Sequence, residues 1–200
     1  MPDTIIPIFP LKGVIVFPDT DLPLNIFEPK YLDMIDYSLS KDKLIGIIQP
    51  FDKSSLYGHG CIGKITNFNE TKDGRYLISL RGLTLFTPKN EIFKKTKFRL
   101  FEVTKHEDNK NKKFIEKDFD KVTLVEKFKH FCKLNNSETD LEIINSIESK
   151  DLIKLIAMIS PFNDAEKQML LETKDLNKLS ENIISLFDFY NIKNTTTRIN

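Results

Sequence analysis

The sequence predicts an α+β chain: a β-rich N-terminal half that closes into a barrel or pseudo-barrel with one inserted helix, then a C-terminal helical bundle. Three observations carry this. Short apolar runs separated by proline and glycine fill the chain to about residue 105. Asp73-Gly74 stands between two of those runs, and Gly reaches the positive φ of a tight hairpin without strain. Beyond residue 121 the apolar spacing changes to the helical period. The boundaries read as 1–117 for the β half, 118–192 for the helical half and 193–200 for a polar, flexible tail.

The first half opens with apolar runs at Ile5–Phe9, Val14–Phe17 and Leu22–Phe27, each expected to be a strand. A helix follows over Pro29–Ser40. Pro29 suits its first turn, where the missing N–H costs nothing, and Tyr31, Leu32, Ile35 and Leu39 form its apolar stripe. Further strands are expected at Leu44–Gln49, Cys61–Asn69, Arg75–Leu80, Leu83–Phe86 and Phe98–Val103. Lys105–Lys121, dense in Lys, Glu, Asp and Asn, reads as a solvated connector whose charges nearly cancel.

In the second half Val122, Val125, Phe128 and Cys132 share a helical face, widened by Leu124 and Phe131. Thr139 with Glu142 has the spacing of a capping box, Ser149 is placed to cap a helix over Asp151–Ile159, and Pro161 ends that helix. Asn163 with Glu166 repeats the capping-box spacing. Leu176, Leu179, Ile183, Leu186 and Tyr190 mark the last helix.

Composition limits the function classes. Hydrophobic residues make up 40% of 200 residues, with 16 Phe, enough for a substantial core. The formal net charge is +1, which supplies no general pull toward nucleic acid or an anionic membrane. Arginine is scarce, so Arg75, Arg81, Arg99 and Arg198 stand out as groups suited to bidentate carboxylate or phosphate contacts. Cys61 and Cys132 do not make a secreted disulfide framework. Prolines interrupt the apolar opening, no basic stretch precedes it, and no run reaches a membrane span, so a cytoplasmic protein without membrane attachment is expected.

The order and spacing of several segments resemble the Lon N-terminal, substrate-binding domain. They are the opening Ile5-Ile6-Pro7-Ile8-Phe9-Pro10-Leu11-Lys12-Gly13-Val14-Ile15-Val16-Phe17-Pro18, the turn Phe27-Glu28-Pro29-Lys30-Tyr31, the glycine-bearing Gly58-His59-Gly60-Cys61-Ile62-Gly63-Lys64-Ile65, the hairpin arm Asp73–Gly82, and Ser160-Pro161-Phe162-Asn163-Asp164-Ala165-Glu166-Lys167-Gln168-Met169-Leu170-Leu171-Glu172. The resemblance covers nearly the whole chain and is greatest to short, stand-alone bacterial members. It implies a PUA-like β lobe followed by a helical lobe, no catalytic residues, and recognition of unfolded or tagged protein. The ATPase and Ser-Lys protease modules have no counterpart in this sequence.

Catalytic and cofactor motifs fail on their own chemistry. Gly58 to Lys64 fits Gly-x4-Gly-Lys, but a phosphate loop needs Ser or Thr next to hold magnesium and a helix to follow. Ile65 occupies that place, Thr66 is one position late, and the pattern alternates toward a hairpin. His59 and Cys61 share a strand face, whereas His130 and Cys132 diverge by about 200° on a helix. A zinc site would need both halves to meet, so no metal and no cofactor is expected. Lys72-Asp73-Gly74 matches a fragment of the Lon catalytic segment without its serine, and reads better as a turn. The acid pairs Asp118/Asp120 and Glu138/Asp140 read as caps and solvated charge rather than acid–base machinery.

Recognition remains. Phe27, Glu28, Lys30 and Tyr31 place two aromatics and two opposite charges around a helix start, which suits a partner surface and equally suits packing between helix and barrel. Arg81, at a strand end beside Gly82, could clamp a peptide carboxylate or cap backbone carbonyls. The first expectation is a non-catalytic module that binds unfolded protein segments or a specific protein partner, by apolar capture in a groove expected between the β and helical lobes, as an adaptor in protein quality control. The alternative is an RNA-binding PUA-like protein using Lys64, Lys72, Arg75 and Arg81, which the near-neutral charge disfavours. A third, an enzyme acting on a small ligand inside the barrel, needs a well-formed polar pocket.

Overall fold

The computed structural model describes residues 4–106, 119–134, 144 and 146–197. The chain forms β1 (Thr4–Pro10), β2 (Asp21–Ile26), α1 (Pro29–Leu39), β3 (Leu44–Ile48), β4 (Gly60–Glu70), β5 (Tyr76–Glu91), β6 (Arg99–Lys105), α2 (Lys121–Leu134), α3 (Ser149–Ile159), α4 (Asp164–Glu172) and α5 (Leu176–Thr197). The expected α+β class holds. The Thr139/Glu142 capping box, the Glu138/Asp140 pair, Asp118, Arg198 and most of the connector lie outside the described residues.

The chain divides into two compact units. One holds the described residues up to His106 together with Pro161–Leu171; the other holds α2, α3 and α5. The sequence reading placed Asp164–Glu172 in the helical half, but α4 groups with the strands. Its polar residues explain why. Gln49 Nε2 donates to the Asp164 carbonyl at 2.9 Å and to Gln168 Oε1 at 3.3 Å, and Gln168 Nε2 donates to the His59 carbonyl at 3.0 Å. Lys167, 6% exposed, donates to the Gly13 carbonyl at 2.8 Å. Burial pushes its pKa down, and Asp164 opposes that shift. The capping box at the start of α4 forms in both directions: Glu166 N–H donates to Asn163 Oδ1, and Asn163 N–H donates to the Glu166 carboxylate, each at 2.9 Å.

The sheet runs β2-β5-β4-β3-β1-β6, and β5 also pairs with β6, so five strands close a ring with β2 attached outside it. The β1–β3 pair is parallel and every other pair antiparallel. Two expected strands, Arg75–Leu80 and Leu83–Phe86, are one sixteen-residue strand. Its first half pairs with β2 and its second half with β6. A register shift against β4 falls where Gly63 opposes Gly82 and Ile62 opposes Thr84, so the strand bends there. Gly82 is required at the bend: a Cβ on it would stand 2.1 Å from the Phe17 carbonyl oxygen. The hairpin before β5 turns through Gly74 at φ +78°, as Asp73-Gly74 predicts.

The alternation of strand side chains produces two cores. Ile6, Ile8, Ile62, Phe86, Phe101 and Val103 form one of them. A Cβ on Gly46 would meet Ile8, Ile6 and Phe86, so these side chains pack closely over that glycine. On the opposite face Phe9, Ile45, Ile47, Ile78 and Leu80 pack with Met34 and Ile35 of α1. Val14–Phe17, expected as a strand, is not one. Ile15, Val16 and Phe17 are buried through a turn-flanked segment, and the Thr20 hydroxyl closes its end on the Phe17 carbonyl at 2.8 Å. Burial without pairing reads the same as a strand in an apolar run.

In the second unit α2 and α5 meet through Phe128, Phe131 and Phe187, with ring centroids 5.0–6.0 Å apart, and Lys127 pairs with Asp188. Leu152, Ile153, Ile156 and Ala157 of α3 are buried, as are Leu179, Ile183 and Phe187 of α5. Ser149 does not cap α3: Glu148 holds the cap position without a side-chain bond, and Ser149 is buried in the first turn. The helix α5 continues to Thr197, past the Lys193 at which a flexible tail was expected.

Gly82→Ala should lower stability by about 2–3 kcal/mol, because backbone cannot yield to the added methyl as a side chain tip does. Gly58→Ala, which meets nothing within 4 Å, should be close to neutral. Urea unfolding of both variants checks the contrast; equal midpoints would refute the account of the bend.

Candidate functional site

The helix α1 starts on Pro29, and no acidic residue lies in its first turn. Glu28 precedes it at the N-cap and makes no capping bond; its carboxylate pairs instead with Lys30 at 3.2 Å. That hydrogen bond raises the Lys30 pKa above its ordinary value. Lys30 Nζ also lies over the Tyr31 ring, 4.5 Å from the centroid. Tyr31 is half-buried against Phe9, with ring centroids 4.2 Å apart, so the packing reading of this residue is correct in part. Phe27 is 64% exposed.

Lys30 and Tyr31 line an open groove of about 240 Å³ in the first unit. Ile8, Pro10, Pro50 and Leu56 supply the aliphatic part of its lining. Lys53, Lys97, Phe98 and Arg99 complete the wall, brought from the β3–β4 loop and the start of β6. The amine of Lys97 is held by Asp33 at 2.9 Å, and Arg99 binds both oxygens of Glu91 at 2.7–2.8 Å. The bidentate Arg99 contact holds the Glu91 pKa below the ordinary carboxylate value and raises that of Arg99. Asp52 is the one acid in the lining. Its carboxylate accepts from the Ser54 and Ser55 amides, each at 2.7 Å, and from the Ser54 hydroxyl at 3.0 Å, which pulls its pKa strongly down.

Of the five residues singled out by sequence, Lys30 and Tyr31 line the groove, while Glu28 and Phe27 stand beside them at the helix start. Arg81 is elsewhere. It pairs with Asp21 at 2.7 Å, and this register pair lies five residues along β2 from Ile26, about 16 Å at strand rise. Sequence reasoning missed Lys53, Lys97 and Arg99. Arg99 stood out only as a scarce arginine; no spacing links three residues from separate segments.

The catalytic and metal motifs can be placed as well. The residues from Gly60 onward are strand β4, so no helix N-terminus follows the Gly58–Lys64 segment. His59 packs edge-on against His106, with ring centroids 5.0 Å apart, and Cys61 is buried. Among the described residues no group of three or more His, Cys, Asp or Glu is placed to hold a metal ion. No described helix is long and apolar enough to cross a membrane.

The family model of the ATP-dependent protease La (LON) substrate-binding domain matches residues 5–188. The chain belongs to the Lon substrate-binding domain family. Relatives include the Lon proteases of Buchnera aphidicola subsp. Acyrthosiphon pisum, 26% identical over 196 residues, and of Parabacteroides distasonis, 27% identical over 195. Each alignment takes 92% of this chain but only 25% and 24% of those proteins, so the chain spans about a quarter of the relatives it matches. A Lon N-terminal domain protein from Xanthomonas campestris shares the fold, with a TM-score of 0.66 at 18% identity over 91% of this chain and 98% of the other. The N-terminal domain of the Mycobacterium avium complex Lon protease aligns equally well, over 92% and 98%. The Lon-domain segments quoted from the sequence map onto β1, the start of α1, β4, β5 and α4.

Glu91→Gln should destabilise the chain by about 1 kcal/mol at pH 7, the upper range for a well-formed exposed pair. The Glu91 pKa is depressed in the folded state, so its contribution is present above the unfolded value of 4.5 and is lost as pH falls through the folded value. Urea midpoints of wild type and variant should therefore converge as the pH is taken below the unfolded value of 4.5. A gap that stays constant would show that the Arg99 pair does not set it.

Proposed function

We propose that this chain is a non-catalytic recognition module that captures unfolded or partly folded protein segments, acting in the cytoplasm as an adaptor in protein quality control. The observation that carries the reading is the open groove at the start of α1, lined by both apolar and charged side chains, with the exposed Phe27 three residues before Lys30 in the chain. Such a surface buries side chains of an extended segment while its polar rim orients the backbone. Membership of a family described as a protease's substrate-binding domain supports protein as the ligand class. Phe27, Glu28, Lys30 and Tyr31 are the contact residues in this reading. Arg81 serves a secondary contact, separate from the groove.

Two of the four cations proposed for RNA, Arg75 and Arg81, have carboxylate partners in Asp73 and Asp21, which lowers the local potential for phosphate.

Phe27→Ala should weaken capture of a labelled, chemically unfolded protein by about fivefold or more, as expected for an aromatic anchor, with the melting temperature unchanged because the side chain is exposed. Fluorescence anisotropy with the purified chain measures it. Unaltered affinity in the folded variant would remove Phe27 from the site, and absence of any saturable capture by wild type would reject the reading.

A further inference from the structure

We infer that the free edge of β4 over Thr66–Glu70 takes up an extended protein segment by strand addition, so that the segment's main chain continues the sheet. This rests on the recognition reading and adds a contact made by backbone rather than by the side chains of the groove. The neighbour β3 covers β4 only as far as Lys64, and the last bond runs from Ile65 N–H to the Lys43 carbonyl at 2.8 Å. Beyond that point β4 is paired on one side alone, with β5. The strand period decides which groups are left over. Thr71 N–H donates to the Arg75 carbonyl at 2.9 Å, so the backbone of Asn69 and of Asn67 faces Leu77 and Ser79 of β5. Phe68 and Glu70 therefore turn their N–H and C=O groups outward, and no backbone group among the described residues bonds them. Thr66 to Glu70 are all exposed, as an edge requires.

An edge specifies its own partner. Unpaired N–H and C=O groups at strand spacing are matched by another extended main chain. A folded protein has its backbone groups already paired, so this edge selects unfolded segments. The opposite edge of the same three strands is closed to the reaction. Gly82 N–H donates to the Thr20 carbonyl at 2.8 Å, so Leu22, Leu24 and Ile26 face β5 while Asp21, Pro23 and Asn25 face out. Pro23, in the middle of that edge, has no N–H to offer. No proline interrupts β4. A second copy of this chain is a poor occupant, because the free edge is five residues long and a stable interface takes about 20–30 residues a side. Side chains set the register. The exposed Phe68 lies against Tyr76, with ring centroids 4.9 Å apart, on the face it shares with its register partner Ile78. Asn67 and Asn69 occupy the other face. The segment that fits alternates apolar and polar residues and brings a β-branched or aromatic side chain beside Phe68.

The probe is a fluorescein-labelled peptide of alternating Val and Thr flanked by lysines, titrated into the purified full chain by anisotropy. Its counterpart is N-methylated at the four central residues, which removes donors from both of its edges and keeps the side chains. The parent peptide should bind at least about fivefold tighter, the worth of one or two neutral hydrogen bonds. Amide exchange of the wild-type chain gives the location. Saturating parent peptide should slow exchange of the Phe68 and Glu70 amides and leave those of Asp21 and Asn25, on the proline-bearing edge, unchanged. Glu70→Pro deletes an outward donor that no ladder bond uses, so it should keep the melting temperature and weaken the parent peptide by about three- to tenfold.

Equal affinity for the two peptides overturns strand addition, as does a parent peptide that fails to bind. Unchanged exchange at Phe68 and Glu70 in the saturated wild type overturns it too, and that measurement holds whether or not the proline variant folds. Protection of these amides that grows with protein concentration in the absence of peptide assigns the edge to a second copy and overturns the inference as well. In each case saturable capture of an unfolded protein by the same chain leaves the recognition reading standing, and its absence rejects that reading also.

Discussion

The fold depends on a single constraint in β5. This strand must pair with β2 and β4 at one end and with β6 at the other, and only a sharp bend lets one backbone do both. The bend brings Gly82 against the Phe17 carbonyl, where no side chain fits. Without it the ring would open between β5 and β6, leaving two strand edges and the Ile6, Ile8 and Phe86 interior exposed to water. The ring in turn sets the site. Through β1 it fixes Phe9 under Tyr31, and through β6 it carries Arg99 to the groove wall.

The groove has a division of labour between neighbouring side chains. Glu28, Asp33 and Glu91 hold Lys30, Lys97 and Arg99 in place, which limits the side-chain entropy lost when a ligand arrives. Each acid also competes for the cation it positions, so affinity at any one contact stays modest. In the proposed reading Phe27 contributes exposed aromatic area, and the aliphatic lining supplies a contact that salt does not screen.

Local chemistry was legible in the sequence. Pro29 marked the start of α1, Asp73-Gly74 marked the hairpin, and Asn163 with Glu166 marked the cap of α4, because each depends on residues three or four apart. What depended on distant residues was not. An apolar run such as Val14–Phe17 reads alike whether it is paired in a sheet or buried as a loop. Glu148 holds the cap position of α3 although serine is the better capping residue, and Ser149 is buried one position further on. Half of the candidate site was visible, as the Phe27–Tyr31 turn, because it is contiguous. The cations on the opposite wall come from two other segments, and only the closure of the ring brings them together.

The placement of α4 bears on how the chain is made. Its bonds to the strands join Gly13 to Lys167 across 154 positions, and Gln49 to Asp164 and Gln168 across 115 and 119. A ribosome delivers every strand long before it delivers this helix. Until residue 171 has emerged, Gln49 and the Gly13 and His59 carbonyls have no helix to bond, and the strand unit remains unfinished. All of α2 and α3 must be synthesised in that interval. The nascent strand unit therefore waits for the time of some fifty or more residues, several seconds at about 5–20 residues per second, before α4 can complete it.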